Sequence, residues 1–98
     1  MELKGKRAIV TGGASGFGYG IALHFINEGA KVLIADKNIK LAKEAASKLG
    51  ENAFSFETDV SKLESVIELQ KEAEKIFGDV EIIVNNAGIT HLPKELEK

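Results

Sequence analysis

Short apolar runs alternate with amphipathic stretches along the whole chain, and that alternation limits the fold more than any single residue does. Arg7 to Val10, Lys31 to Ala35, Ala53 to Glu57 and Glu81 to Val84 read as strands. The second is almost continuously apolar, as a strand buried on both faces should be. Between them, Gly16 to Asn27, Ile39 to Leu49 and a stretch starting near Ser61 and ending before Gly78 read as helices. Phe17, Ile21 and Phe25 recur along one face of the first helix. In the third, Leu63, Val66, Ile67, Ala73, Ile76 and Phe77 form a broad apolar face, and Ser61 with Glu64 gives a Ser-x-x-Glu capping box. Gly29, Gly50 and Gly78 stop the three helices in turn. Strand, helix, strand with short right-handed crossovers builds an α/β, doubly wound parallel sheet. With 98 residues the chain is expected to form one domain, with 89–98 as a largely polar tail.

In such a sheet, ligands bind outside the carboxyl ends of the strands. All the distinctive residues fall there. Thr11-Gly12-Gly13-Ala14-Ser15-Gly16-Phe17-Gly18 follows the first strand, Asp36 the second, Asp59 the third and Asn85-Asn86-Ala87-Gly88 the fourth. The glycines suit a chain that turns tightly out of a strand, brings its backbone against a ligand and seats a helix close to the sheet, so a side chain at any of them should obstruct. The helix that opens near Gly16 leaves N–H groups unpaired and favours an anion there by roughly 0.3–1 kcal/mol, which suits a pyrophosphate. The spacing Gly-x-x-x-Gly-x-Gly differs from both Gly-x-Gly-x-x-Gly and the Walker loop, and alone it also fits a plain turn.

Asp36 lies near the ~20 residues past the first glycine at which an acid accepts hydrogen bonds from the adenosine ribose. Its alternative reading is a turn residue or helix cap. A carboxylate there repels a 2′-phosphate, which predicts NAD over NADP, although Lys37 beside it partly offsets that repulsion.

Thr-Gly-x-x-x-Gly-x-Gly at 11–18, the acid at 36, Asp59-Val60 and Asn85-Asn86-Ala87-Gly88 together resemble the amino-terminal, cofactor-binding half of a short-chain dehydrogenase/reductase, over residues 3 to about 92. The resemblance implies a Rossmann-like sheet reduced to four strands in the order 3-2-1-4, with three helices. It implies that Gly12, Ser15, Gly16, Phe17 and Gly18 line the pyrophosphate, that Asp36 holds the ribose, that Asp59 and Val60 touch the adenine, and that Asn86, Ala87 and Gly88 pass under the ribose. Asn85 and Asn86 would also tie the loop to neighbouring strands.

The family's chemistry depends on a Ser, a Tyr-x-x-x-Lys pair and another Asn in the later half. Here the one tyrosine is Tyr19, with Leu23 four residues on, so no catalytic residue is assigned. The expectation is an NAD(H)-binding half that does not transfer hydride alone. The alternatives are a folding or assembly module that binds nothing, or part of a longer active NAD-dependent alcohol/ketone oxidoreductase. His24 and His91 stand without ligand-spaced companions, and no metal site is expected. A net charge of -2 without clustered basic residues argues against nucleic acid or a membrane surface, and no stretch approaches a membrane span. A cytoplasmic protein is expected. A sheet ending at its fourth strand leaves a bare edge, from which self-association through that edge is expected unless Leu92 to Lys98 fold back over it.

Overall fold

A computed structural model describes residues 3–86. Seven elements follow in the order β1 (Arg7–Thr11), α1 (Gly16–Asn27), β2 (Lys31–Asp36), α2 (Ile39–Leu49), β3 (Ala53–Glu57), α3 (Leu63–Phe77) and β4 (Ile82–Asn85). The four strands form one sheet in the order β3-β2-β1-β4. Every pairing is parallel, with Ala8 beside both Val32 and Ile82, and Val32 beside Ala53.

Alternate residues of the central strands feed two cores. Val10, Val32 and Ile34 pack under α1 and α2 with Ala22, Ala42, Ala45 and Ala46, while Ile9, Leu33 and Ala35 pack under α3 with Leu69 and Ala73. Burial on both faces explains the unbroken apolar run of β2. The α2 contact consists of alanines, which let that helix lie close to the sheet. Asn38 caps α2, its Oδ1 accepting the Leu41 N–H at 3.1 Å. Gly29, Gly50 and Gly78 follow the helices at φ of 96°, 103° and 82°, values that exclude most side chains.

Two expected details differ. Phe17 does not share the core face with Ile21 and Phe25; it is 87% exposed, and the buried positions of α1 are Gly18 and Ala22. Close seating of Gly18 sets the helix phase, which turns Phe17 outward. Ser61 and Glu64 form no capping box either. Helix α3 starts at Leu63 with Lys62 in the cap position and no side-chain cap, because the Asp59 carboxylate holds Ser61. The apolar face of α3 is also narrower than its composition suggests: Leu69 and Ala73 are buried, but Leu63 stays 75% exposed.

Arg7 fastens the start of β4 and the end of α3 to β1. Its Nη2 meets Glu81 Oε2 at 2.6 Å, its backbone N–H donates to Glu81 Oε1 at 2.8 Å, and its Nη1 donates to the Phe77 carbonyl at the end of α3 at 2.7 Å. The guanidinium holds the Glu81 carboxyl down to about 2. A carboxyl lowered on folding contributes stability that is fully present above its ordinary range and is lost as pH falls through that range toward about 2. The melting temperature of Glu81→Gln should therefore lie below that of the parent at neutral pH, with the gap closing as pH drops. A gap independent of pH would remove the ion pair from the account.

Candidate dinucleotide site

The strand ends meet around the loop between β1 and α1. Gly12 turns at φ 65°, and its N–H donates to the Ala35 carbonyl at 2.7 Å, so the loop begins as an extension of the β1–β2 ladder. Its carbonyl then faces the first turn of α1. A Cβ built on Gly18 would lie 2.0 Å from the Gly12 oxygen and 2.7 Å from its carbonyl carbon, so no side chain fits without moving backbone. Gly13 is nearly as tight, with Ile34 Cγ2 and the Val10 oxygen each 3.1 Å from a Cβ. Gly16 differs from the expectation of obstruction, since nothing lies within 4 Å of a Cβ there; its requirement is the positive φ of 60°. The three motif glycines thus answer to a tight turn, a left-handed conformation and a close helix contact.

The first turn of α1 is open to an anion. Ser15 stands at the cap position with extended backbone but makes no side-chain cap hydrogen bond, and no acidic residue occupies the first turn. The N–H groups there lack the partner that Asn38 gives α2. Ser15, Gly16 and Phe17 are all exposed at this end.

Asp36 stands beside the loop at the end of β2. Its Oδ2 accepts the Ala14 N–H at 3.2 Å and its Oδ1 accepts the Asn38 N–H at 3.0 Å. It therefore does serve as a turn residue, as its alternative reading has it, and it also braces the glycine loop. A carboxylate offers about four lone-pair sites, so both bonds leave acceptor capacity for hydroxyls. Its own carbonyl accepts the Thr58 N–H at 2.9 Å and links β2 to the segment that carries Asp59 and Val60.

Asp59 is fixed from both sides. Its Oδ1 accepts the Ser61 hydroxyl at 2.6 Å and the Ser61 N–H at 3.0 Å, and its own N–H donates to Ser65 Oγ at 2.8 Å. The Ser61 hydrogen bonds, with Lys37 and Lys62 nearby, hold the carboxyl below its usual range. Lys37, Phe56, Asp59, Lys62 and Ser65 line a shallow depression beside it.

The end of β4 joins the same cluster through Thr11. The buried Thr11 hydroxyl lies 3.1 Å from Asn85 Oδ1, to which it can donate, and accepts the Asn86 N–H at 2.9 Å. Asn86 Nδ2 donates to the Gly12 carbonyl at 3.3 Å. Asn85 and Asn86 thus tie β4 to β1 and the glycine loop, as expected. Ala87 and Gly88 lie outside the described residues, as do His91 and the tail. The structure adds Thr11, Ala14, Gly13 and Ser65 to the residues that shape the site. Thr11 was within reach of the sequence, since it opens the glycine motif; Ala14 acts through its backbone and leaves no side-chain signal. Among the described residues no group of His, Cys, Asp or Glu is placed to hold a metal ion, and no helix is long and apolar enough to cross a membrane.

Comparison with known proteins agrees with this arrangement. The chain is 42% identical over 89 residues to galactitol 2-dehydrogenase of Agrobacterium fabrum, a match covering 91% of this chain and 35% of that protein. It is 47% identical over 88 residues to tropinone reductase-like 1 of Erythroxylum coca, covering 90% and 32%. Among solved structures, the 3-ketoacyl-(acyl-carrier-protein) reductase of Brucella melitensis complexed with NADH superposes with a TM-score of 0.82 at 39% identity, covering 84% of this chain and 34% of the reductase. Hydroxysteroid dehydrogenase of Escherichia coli gives 0.83 at 33% identity, covering 86% and 36%. The chain spans about a third of the length of these relatives. The family model for short chain dehydrogenase matches residues 6–98, and the chain belongs to that family of oxidoreductases.

Proposed function

We propose that the strand ends bind the adenosine diphosphate part of NAD(H), in preference to NADP(H). The observation that carries this reading is the first turn of α1, which has neither a side-chain cap nor an acid and stands over a loop held open by Gly18 packed on Gly12. Gly12, Ser15, Gly16, Phe17 and Gly18 receive the pyrophosphate on backbone N–H groups, which the positive end of the helix supports. Asp36 accepts from the ribose hydroxyls. Asp59 and Val60 flank the adenine, and Asn86, with Ala87 and Gly88 beyond the described residues, completes the floor. A nicotinamide dinucleotide supplies the hydride carrier when bound. The residues of this chain bind and orient its adenosine half.

The 98 residues contain no Tyr-x-x-x-Lys pair to move a proton to or from a substrate oxygen, so the role proposed for them alone is binding without turnover. Within a chain of the relatives' length, the same site serves an oxidoreductase acting on a hydroxyl or carbonyl group, and the proposed compartment is the cytoplasm. Calorimetric titration of the folded chain tests this directly. Saturable heat with NAD, and weaker binding of NADP, is expected. No heat with either at millimolar ligand would overturn the proposal and leave a folding module whose loop binds nothing.

A further inference from the structure

The carboxylate of Asp59 is held on one oxygen and bare on the other. Oδ1 accepts the Ser61 N–H at 3.0 Å, closing a turn over Val60, and the Ser61 hydroxyl at 2.6 Å. Among the described residues, Oδ2 accepts no hydrogen bond. A carboxylate is planar, so two donors on Oδ1 set the direction of Oδ2 as well. The backbone around it is equally fixed. The Asp59 N–H donates to Ser65 Oγ at 2.8 Å, the Asp59 carbonyl accepts the Lys62 N–H at 3.0 Å, and the preceding Thr58 N–H donates to the Asp36 carbonyl at 2.9 Å. Asp59 is half-buried, whereas Ser61 lies at the surface and belongs to neither core. The side chain of Ser61 therefore acts on Asp59 alone.

We propose that Ser61 is a positioning residue that aims Asp59 Oδ2 at the exocyclic group of the bound purine, and so makes the site select adenine over hypoxanthine. The inference rests on the proposed placement of adenine against Asp59 and Val60. Adenine carries an amino group at that position, which donates to a carboxylate oxygen. Hypoxanthine carries a carbonyl there and moves its donor to the adjacent ring nitrogen. The Asp59 carboxyl, held below its usual range first by the Ser61 hydroxyl, has no proton to offer that carbonyl. Two acceptors then face each other, and a desolvated oxygen is left without a partner. A carboxylate free to turn would follow the displaced donor to the ring nitrogen and lose most of the distinction. The two Ser61 hydrogen bonds prevent that turn.

Calorimetry of the 98-residue protein with NAD and with nicotinamide hypoxanthine dinucleotide reads the selection directly. NAD should bind about ten- to a hundredfold tighter, the range of a hydrogen bond to a charged group. Ser61→Ala should cut that ratio about fivefold or more, and Ser61→Thr, which keeps the hydroxyl, should restore it. Asp59→Asn gives the sharper result. With Ser61 still donating to Oδ1, an amide nitrogen takes the place of Oδ2 and offers a donor, so the preference should invert in favour of hypoxanthine. Adding Ser61→Ala lets the amide turn over and should bring the ratio back toward one. A residue that only stiffened the turn would change both affinities together and leave their ratio alone. No binding of NAD by the parent protein would overturn the proposed function and this inference with it. NAD binding with a ratio near one, as Lys37 or Lys62 donating to the carbonyl would give, overturns the inference alone. So does a ratio that Ser61→Ala leaves unchanged, or an Asp59→Asn protein that still prefers NAD.

Discussion

Gly18→Ala is expected to cost about 3 kcal/mol or more, a large share of the ~5–15 kcal/mol available to a domain of this size. A methyl group there would lie 2.0 Å from the Gly12 oxygen, and the atoms it meets are backbone, which cannot rotate away. Helix α1 has to lift off the loop, and the loop is tied to the Ala35 carbonyl and to Asn86. Neighbouring glycines supply the contrast. Gly16→Ala meets nothing within 4 Å and is penalised only for its φ of 60°, about 1–2 kcal/mol. Gly20 lies inside α1 with open space around it, and Gly20→Ala should stabilise by about 0.5–1 kcal/mol. Urea denaturation of the three variants checks the order. Equal midpoints for Gly18→Ala and Gly20→Ala would show that the helix does not rest on the loop.

Asp36→Ala should lower NAD affinity about tenfold and reduce the preference for NAD over NADP by about ten- to a hundredfold. The loss of affinity follows from removing the acceptor proposed for the ribose and from releasing the Ala14 and Asn38 N–H groups. The change in preference is electrostatic. Two unit charges at ~4 Å interact by about 4 kcal/mol at an effective dielectric of 20, and solvent at this half-buried position screens part of that. Lys37 weakens the repulsion further, which sets the lower end of the range. Calorimetry with both dinucleotides separates the two roles of the carboxylate. Reduced stability with an unchanged NAD to NADP ratio would mean that Asp36 only braces the loop.

Those two positions also show how far the residues alone reveal the design. The alternation of apolar runs and glycine stops was enough for the parallel sheet, for the limits of α1 and for the gathering of Asp36, Asp59 and Asn86 at one end, because each depends on local pattern. The strand order came with the family resemblance, and the sheet has that order. Contacts distant in sequence left no such trace. Arg7 was visible only as the first residue of a strand, and nothing local pointed to Glu81 or Phe77 as its partners. The outward turn of Phe17 follows from the Gly18 contact with Gly12, which a count of apolar spacing ignores. Ser61 and Glu64 have the spacing of a capping box, but Asp59 lies two residues upstream and takes the Ser61 hydroxyl first. Local motifs compete for the same donor, and spacing does not say which acceptor wins.

The most direct test of the dinucleotide site is an amide nitrogen–proton correlation spectrum of the chain during titration with NAD. The account predicts saturable shifts confined to Gly12 through Gly18, Asp36, the Thr58 to Val60 segment and Asn86, with the lower ends of the strands, around Arg7 and Lys31, unmoved. Shifts centred elsewhere, or none at saturating ligand, would contradict it.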